Sequence, residues 1–424
     1  MANTVLTPNM ILRESYAIMH QRSNFIMRTN RQYDGRFANK GAQIGQSLDI
    51  RLPAKYSTRT GNVMSAQNHV ERSVALPLAT VKGVDFNFGQ EELSYSIELF
   101  SERILQPAMS QLIADVEADA FSMYKQVANY VGIVTTTAGS LLNYLQFQNT
   151  GRFLTENLAP RDGNRTACLN PESNVKFSDA VKGLFQSAEA IKQQYVDGVV
   201  GRTGGYNVYE NTIVPAHTTG LVTTTGAAVL ITTTAGAPGY DSLGTGNAYS
   251  ASGSIKMDGG TISFKAGDIF TIANVNEVHP ETKQDLGYAK RFVVLADVAA
   301  SATPTVTYRP AIITGGAYQN VSAAAANNAA VTRVGAVNGG GAITYGQNLM
   351  FHRDAFIFVT ADLEDASQYG AWGAREVFDG LSIRIWKQGD IANGSFPTRI
   401  DICYGYVAPY PEWACRHVHL RNAP

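Results

Sequence analysis

The chain lacks most of what would mark a catalyst or a membrane protein. Its 424 residues hold three cysteines, Cys168, Cys403 and Cys415, far apart and with no paired spacing. That argues against a disulfide framework or a thiolate zinc site and points to a reducing compartment. No apolar run approaches the roughly eighteen residues of a membrane span, so none is expected. The opening MANTVLTPNMILRES has no charged n-region and no apolar h-region. A signal peptide is therefore not expected, the sequons at Asn164, Asn320 and Asn393 carry no meaning, and a cytosolic product is the expectation.

Charge is scarce as well. Charged residues make up 16% of the chain, against a usual value of about 25%. The net charge is −1, so the chain as a whole is no polyanion binder. Low charge with 20 Tyr and 18 Phe suits a protein that covers much of its surface with partners, and equally a large, weakly charged globular protein.

Signatures of chemistry are missing too. There is no phosphate-cradling glycine loop with its lysine, no His-Glu-x-x-His, no nucleophile elbow and no Cys-x-x-Cys. Three polar groupings deserve weighing. His417 and His419, two apart on one face of a strand, could hold a metal, but no third ligand stands near and a structural role is favoured. Asp115, Glu117 and Asp119 form an acidic run, of which only Asp115 and Asp119 share a helix flank, so a solvated or inter-subunit surface is expected. His352-Arg353-Asp354 are consecutive and point in different directions, which argues against a triad. No catalytic, metal or cofactor-binding residue is assigned, and neither a cofactor nor an enzymatic activity is expected.

What is present is a long helical stripe. From Leu105 the apolar residues fall at Met109, Leu112, Ile113, Val116, Ala120, Met123, Tyr124, Val127 and Val131, steps of three and four along one helix. Pro107 fits only near its start. A helix from about Glu102 to Tyr130 would run some ~40 Å, a scaffold beam. Upstream, Thr7 and Pro8 predict an N-cap and first helical position, with Ile11, Leu12, Tyr16 and Met19 continuing the helix. Thr29 to Gly45 reads as an irregular arm. Leu48, Ile50 and Leu52 alternate in a strand stopped by Pro53. Lys55 to Ala66 is turn-rich and Val74 to Phe88 extended, together a two-stranded excursion that needs a neighbour to rest on.

Val181, Leu184, Phe185, Ala188, Ile191 and Tyr195 predict a further helix ending at Asp197-Gly198. Between about 218 and 341 the texture changes, with roughly one residue in nine charged and threonine triplets at 223–225 and 232–234. Thr261-Ile-Ser-Phe264, Phe270-Thr-Ile272, Arg291-Phe-Val-Val-Leu295 and Thr305-Val-Thr-Tyr308 read as short strands, with Gly267-Asp268 in a turn. A small β-barrel or sandwich, inserted into another domain, is the expectation. Residues 1–40 are locally basic, with Arg13, Arg22, Arg28, Arg31, Arg36 and Lys40 against Glu14 and Asp34. Such an arm could face nucleic acid or an acidic partner, or be a solvated surface.

Several segments, in order, resemble tailed-phage major capsid proteins. They are Phe86-Asn-Phe-Gly-Gln-Glu-Glu-Leu93 with Phe100-Ser-Glu-Arg-Ile-Leu-Gln-Pro107, then Asn348-Leu-Met-Phe-His-Arg-Asp-Ala-Phe356, then Arg399-Ile-Asp-Ile-Cys-Tyr-Gly405 through Pro411-Glu412. The β-rich insert resembles the extra barrel of the short-tailed Salmonella-phage coat proteins. The resemblance implies an α+β fold of the Hong Kong 97 type with a long spine helix, an extension loop, peripheral and axial domains, and the inserted β-barrel. It implies an N-terminal arm at 1–45, an extension loop at 46–85 and a peripheral domain with spine helix at 86–135. The axial domain would take 136–217 and 342–394, the inserted barrel 218–341, and the closing peripheral strands 395–424.

By the same resemblance the chain is a subunit that assembles with itself, as hexamers and pentamers, into an icosahedral head enclosing double-stranded DNA. Scaffolding, portal and decoration proteins are implied partners, DNA contact is non-specific, and no membrane is involved. The place implied is the virion capsid, assembled in the host bacterial cytoplasm. In the Salmonella-phage type an acidic loop of the insert pairs with a basic residue of a two-fold neighbour. Asp241 would supply the acid; the matching basic position is Leu295 or Ala296 here, which leaves Arg291 as substitute. A surface-layer or filament protein, and a hydrolase with an inserted β-domain, are the rival classes.

Overall fold

The computed structural model describes residues 7–31, 47–64, 66–67, 71–87, 100–132, 142–181, 201–221, 229–232, 251–335, 342–363, 370, 372–378, 380–389 and 397–420. The chain divides into two compact units: Met1–Ile50, Val74–Phe121 and Phe356–Pro409 in one, Arg51–Ser73, Ser122–Ala355 and Tyr410–Pro424 in the other.

In the first unit, helix α1 (Pro8–Arg22) starts after an extended Thr7, with Pro8 where its missing N–H costs nothing; the Thr7 hydroxyl makes no capping bond. Helix α2 (Gln106–Phe121) buries Met109, Leu112, Ile113, Val116 and Ala120, the face its spacing predicted. It is shorter than expected. The α-type part, sixteen residues, spans about 24 Å; turns of other types extend the helical run from Ser101 to Gln126, short of the expected Tyr130. Pro107 explains one end: it removes an N–H and crowds the preceding carbonyls, and a π turn (Ser101–Leu105) precedes it, with the Gln106 N–H reaching back to the Ser101 carbonyl. At the other end a 3₁₀ turn (Ser122–Gln126) follows, and Tyr130–Val131 is a strand, paired with Arg416 and His417. That pairing overrides the helical period.

The sheet of this unit runs Ile357–Ala361, Pro397–Val407, Leu381–Lys387, Trp372–Phe378, with Thr80–Asn87 also on Pro397–Val407. Its register sets Asp401 opposite both Arg384 and Gly83. Asp401 is buried and binds Arg384 at 2.6 Å and Arg399 at 2.8 Å. Its carboxylate lies where a Cβ at Gly83 would stand, so glycine is required there. The expected excursion over Val74 to Phe88 is therefore corrected. Only Arg72–Pro77 pairs with Ser47–Leu52; Thr80–Asn87 belongs to the five-stranded sheet. The hairpin finds its neighbour in its own chain, since Leu48, Ile50 and Val74 pack on Leu76, Leu78, Val359 and Cys403.

The second unit holds a seven-stranded sheet and a closed six-stranded barrel. In the sheet, Ala414–Leu420 lies between Tyr130–Val131 and Thr344–His352, followed by Arg165–Leu169, Tyr206–Glu210 and Arg202–Thr203, with Ala216–Thr218 also on Thr344–His352. Helices α3 (Tyr144–Glu156) and α4 (Pro171–Val181) contribute Phe147, Leu154 and Phe177 to its core. Helix α3 was not read from the sequence, although Asn143 and Gln146 form a full capping box at its start. The helix predicted beyond Val181 falls on residues outside those described.

The barrel closes through Gly253–Asp258, Thr305–Arg309, Asp285–Val294, Ile269–Val278, Ala330–Arg333 and Val229–Ile231. Phe270, Phe292, Tyr308, Ile255, Met257 and Val306 fill it. Ile262–Phe264, expected among the insert's strands, stands outside the barrel and pairs with Val298–Ser301. The chain enters and leaves this region as partners, Thr218 opposite Thr344. Two expected groupings differ. Of residues 395–424, Pro397–Val407 lies in the first unit's sheet while Ala414–Leu420 is an inner strand of the second's. Of residues 342–394, those from Phe356 on fall in the first unit. In both cases backbone pairing to distant strands, invisible in local pattern, decides membership.

Candidate interaction surfaces

Of the groupings singled out for chemistry, His417, His419, Glu117 and His352 are buried, while Asp115 is exposed. His417 and His419 are fully buried with rings 5.6 Å apart. His417 Nδ1 accepts from the Asn348 amide at 3.3 Å, which leaves Nε2–H to donate to Gln146 Oε1 at 3.0 Å. Burial first, and then His419, pushes the His417 pKa down to about 3. Among the described residues no three His, Cys, Asp or Glu gather as a metal site.

The acidic run of α2 does not form one solvated surface. Glu117 is buried and accepts the backbone N–H groups of Asn24, at 3.0 Å, and Phe25. Asp119 binds Lys82 at 2.7 Å and accepts from Tyr404 at 2.6 Å. Burial opposes ionisation there, yet these two donors hold the Asp119 carboxyl below its ordinary value. The third grouping is also structural. His352 bonds Asp162 at 3.1 Å and sits edge-on to Trp413 at 5.6 Å. Against a desolvation that works the other way, hydrogen bonds from Asn164 and His352 bring the Asp162 pKa to about 2.

A denser constellation ties the barrel to the seven-stranded sheet. Asp268, expected merely in a turn, is fully buried. It accepts from His217 Nε2 at 2.9 Å, Gly220 N at 3.1 Å and Lys265 N at 2.9 Å. Arg333 stands 3.7 Å away and donates to the Ser263 and Gly220 carbonyls. From the sheet, buried Arg416 reaches the Gly267 carbonyl at 3.0 Å. Burial lowers the pKa of His217, Arg333 and Arg416 alike. One carboxylate thus serves as anchor for three segments, a pre-organised joint rather than a reacting site.

The basic arm is only partly described. Arg13 is exposed and pairs with Glu376 of the same unit at 3.3 Å. Arg28 is exposed in a 3₁₀ turn, and Arg31 is half-buried. Arg36 and Lys40 lie outside the described residues, as does the Arg22 side chain. Asp241 lies outside them too. Arg291, its suggested counterpart, is stacked within its own chain, 4.0 Å from the centre of the Phe153 ring, with Tyr130 and Tyr288 alongside.

Apolar side chains do reach the surface on the loop between the hairpin strands. Val63 is 85% exposed, Met64 80% and Tyr56 61%. The base of this loop is held: the Lys55 N–H donates to the Tyr318 hydroxyl at 3.2 Å, and Arg72 lies 5.5 Å over the Tyr318 ring. No helix among the described residues is long and apolar enough to cross a membrane.

The P22 coat protein family (P22 coat protein, gene protein 5) matches residues 26–417. No curated protein sequence matches. A structure from Mycobacterium phage Che8 is similar at 12% identity over 93% of this chain and 91% of its own, with a TM-score of 0.45. The capsid of the cyanophage P-SCSP1u is similar at 10% identity over 89% and 84%, TM-score 0.41. The CUS-3 coat protein I-domain aligns at 26% identity over 26% of this chain and 99% of that domain, TM-score 0.21. The chain belongs to the P22 coat protein family: it is a major capsid protein of a tailed phage, a structural subunit of the virion shell.

Proposed function

We propose that the subunit closes into an icosahedral head of hexamers and pentamers, and that the loop carrying Tyr56, Val63 and Met64 lies over an adjoining copy. The exposed loop carries this reading. Its base is fixed in its own subunit while its tip offers apolar side chains to solvent, an arrangement that gains most when a neighbour covers it. Heterologous contacts repeated around a ring close into capsomers. In this reading the five-stranded sheet and α2 make the peripheral domain, the seven-stranded sheet the axial domain, and the barrel the inserted domain. Asp241 and Arg291 are the candidates for a contact between subunits, with Arg291 also stacked on rings of its own chain.

Scaffolding, portal and decoration proteins, packaged double-stranded DNA and assembly in the host cytoplasm complete the proposal. Co-expressed with a scaffolding protein, the chain should give closed shells by electron microscopy; a monodisperse monomer at every salt concentration would overturn this. The arm is the inward-facing segment. Replacing Arg22, Arg28 and Arg31 by Ala should slow scaffold-assisted assembly and flatten its salt dependence, since exposed charges are screened within ~8 Å at physiological salt. Parallel salt dependences in wild type and variant would make the arm a packing element instead.

A further inference from the structure

A cavity of about 370 Å³ opens beside α3, and arginines from four places in the fold line it: Arg152 on α3, Arg161 in the turn after it, Arg165 at the start of a sheet strand and Arg202 on the edge strand. Among the described residues, only Arg152 of these four forms an ion pair with a carboxylate, Glu156 at 2.7 Å. Arg165 is buried and fixed by neutral acceptors, donating to the carbonyls of Ala159 at 2.6 Å and Pro160 at 2.9 Å. Arg161 is exposed and donates through Nε and Nη2 to the Thr155 hydroxyl, which orients its plane without neutralising it.

The acid of the same turn, Asp162, commits its oxygens to Asn164 and His352. Burial holds the Arg165 pKa below its ordinary value and Arg161 adds to that, while Tyr206 and Asp162 act the other way without offsetting it. Convergence of like charges around one hollow is unfavourable unless something negative enters it. The rim is also tightly built. Gly204 has φ +58°, and a Cβ there would stand 2.6 Å from the Gln148 amide, so the turn that carries Arg202 needs glycine.

We propose that this concavity is a phosphate site, in which Arg161 and Arg202 grip a phosphate oxyanion and buried Arg165 supplies a fixed positive floor. A planar carboxylate is saturated by one guanidinium fork, whereas several forks converging from different directions match a tetrahedral group with three or four acceptor oxygens. The phosphate is either free or part of a nucleic-acid backbone; both present the same oxygens. The site is distinct from the arm, and neither assignment depends on the other.

The test uses the full-length unassembled subunit at fixed ionic strength. Sodium pyrophosphate is titrated by calorimetry, and a fluorescein-labelled twenty-residue oligothymidylate by anisotropy. The double substitution Arg161→Gln with Arg202→Gln should weaken pyrophosphate binding at least about tenfold with an unchanged melting temperature. Arg59→Gln, on the exposed loop, should leave it unaltered. An equal loss of oligonucleotide binding assigns the site to backbone phosphate; loss of pyrophosphate binding alone assigns it to free phosphate. If the double variant does not fold, Arg202→Gln alone should still give about a threefold loss. Absence of pyrophosphate binding in wild type, or equal affinity in wild type and variant, overturns the proposal.

Discussion

The barrel and the extension hairpin are both built of short strands, but they solve the problem of their apolar surface in opposite ways. The barrel turns Ile255, Met257, Phe270, Phe292 and Tyr308 inward and closes its hydrogen-bond ladder on itself, so it leaves no open edge. The hairpin has two strands only, rests its base on a borrowed core, and carries Val63 and Met64 into solvent. One element is complete within its chain; the other leaves its tip exposed, and in the proposed shell a second copy covers it. In a shell subunit the first can stabilise the monomer, while a tip covered by a neighbour would add stability only in the assembled state.

The comparison breaks most sharply at Asp268. Asp268→Ala removes the acceptor for His217, Gly220 and Lys265 and leaves Arg333 buried without a counter-charge. A loss of about 3–5 kcal/mol is expected for the subunit, read as a shift in the urea midpoint, with the loop's protease sensitivity unchanged. Equal loosening of loop and barrel would show that the two are not independent.

Acid should reach the sheet beneath the barrel next. His417 has a folded pKa of about 3 against an unfolded value near 6.5. The unfolded chain therefore takes up the proton first as pH falls. Its contribution is fully present above pH 6.5 and is lost on the way down to pH 3, about 2 kcal/mol between pH 7 and 5. Urea midpoints measured across that range should fall, and His417→Gln should flatten the slope.

Much of this was legible in the chain. The buried face of α2, the strand Ser47–Leu52 and the β character of the insert follow from period alone. The joint at Asp268 was not, because Gly267-Asp268 carries an ordinary turn signature and, Lys265 apart, its partners lie far off at 217, 220 and 333. Glu117 shows no local sign of burial either; the N–H groups it accepts come from residues 24 and 25. The start of α3 carries its own signal in Asn143 and Gln146, a capping box that apolar periodicity alone does not show.

A smaller effect is expected where loop meets barrel. Tyr318→Phe keeps the ring under Arg72 but removes the acceptor for the Lys55 N–H. That should cost the subunit about 1 kcal/mol and raise the mobility of residues 53–64 in hydrogen exchange. Smallest for the isolated subunit is the pair Val63→Ser with Met64→Ser. Stability should stay within about 0.5 kcal/mol of wild type, while the yield of closed shells falls. A normal yield would mean the tip is not covered by another copy.

The strand Ala414–Leu420 has a consequence of its own, one of timing. It lies inside the seven-stranded sheet, between Tyr130–Val131 and Thr344–His352, yet a ribosome delivers it after the barrel strands and after both of those neighbours. The barrel strands, all between Val229 and Arg333, emerge earlier and can close while the sheet still has a gap. Synthesis order therefore makes the late strand a latch. Until it is in place, Arg416 cannot reach the Gly267 carbonyl, and the joint between barrel and sheet stays incomplete.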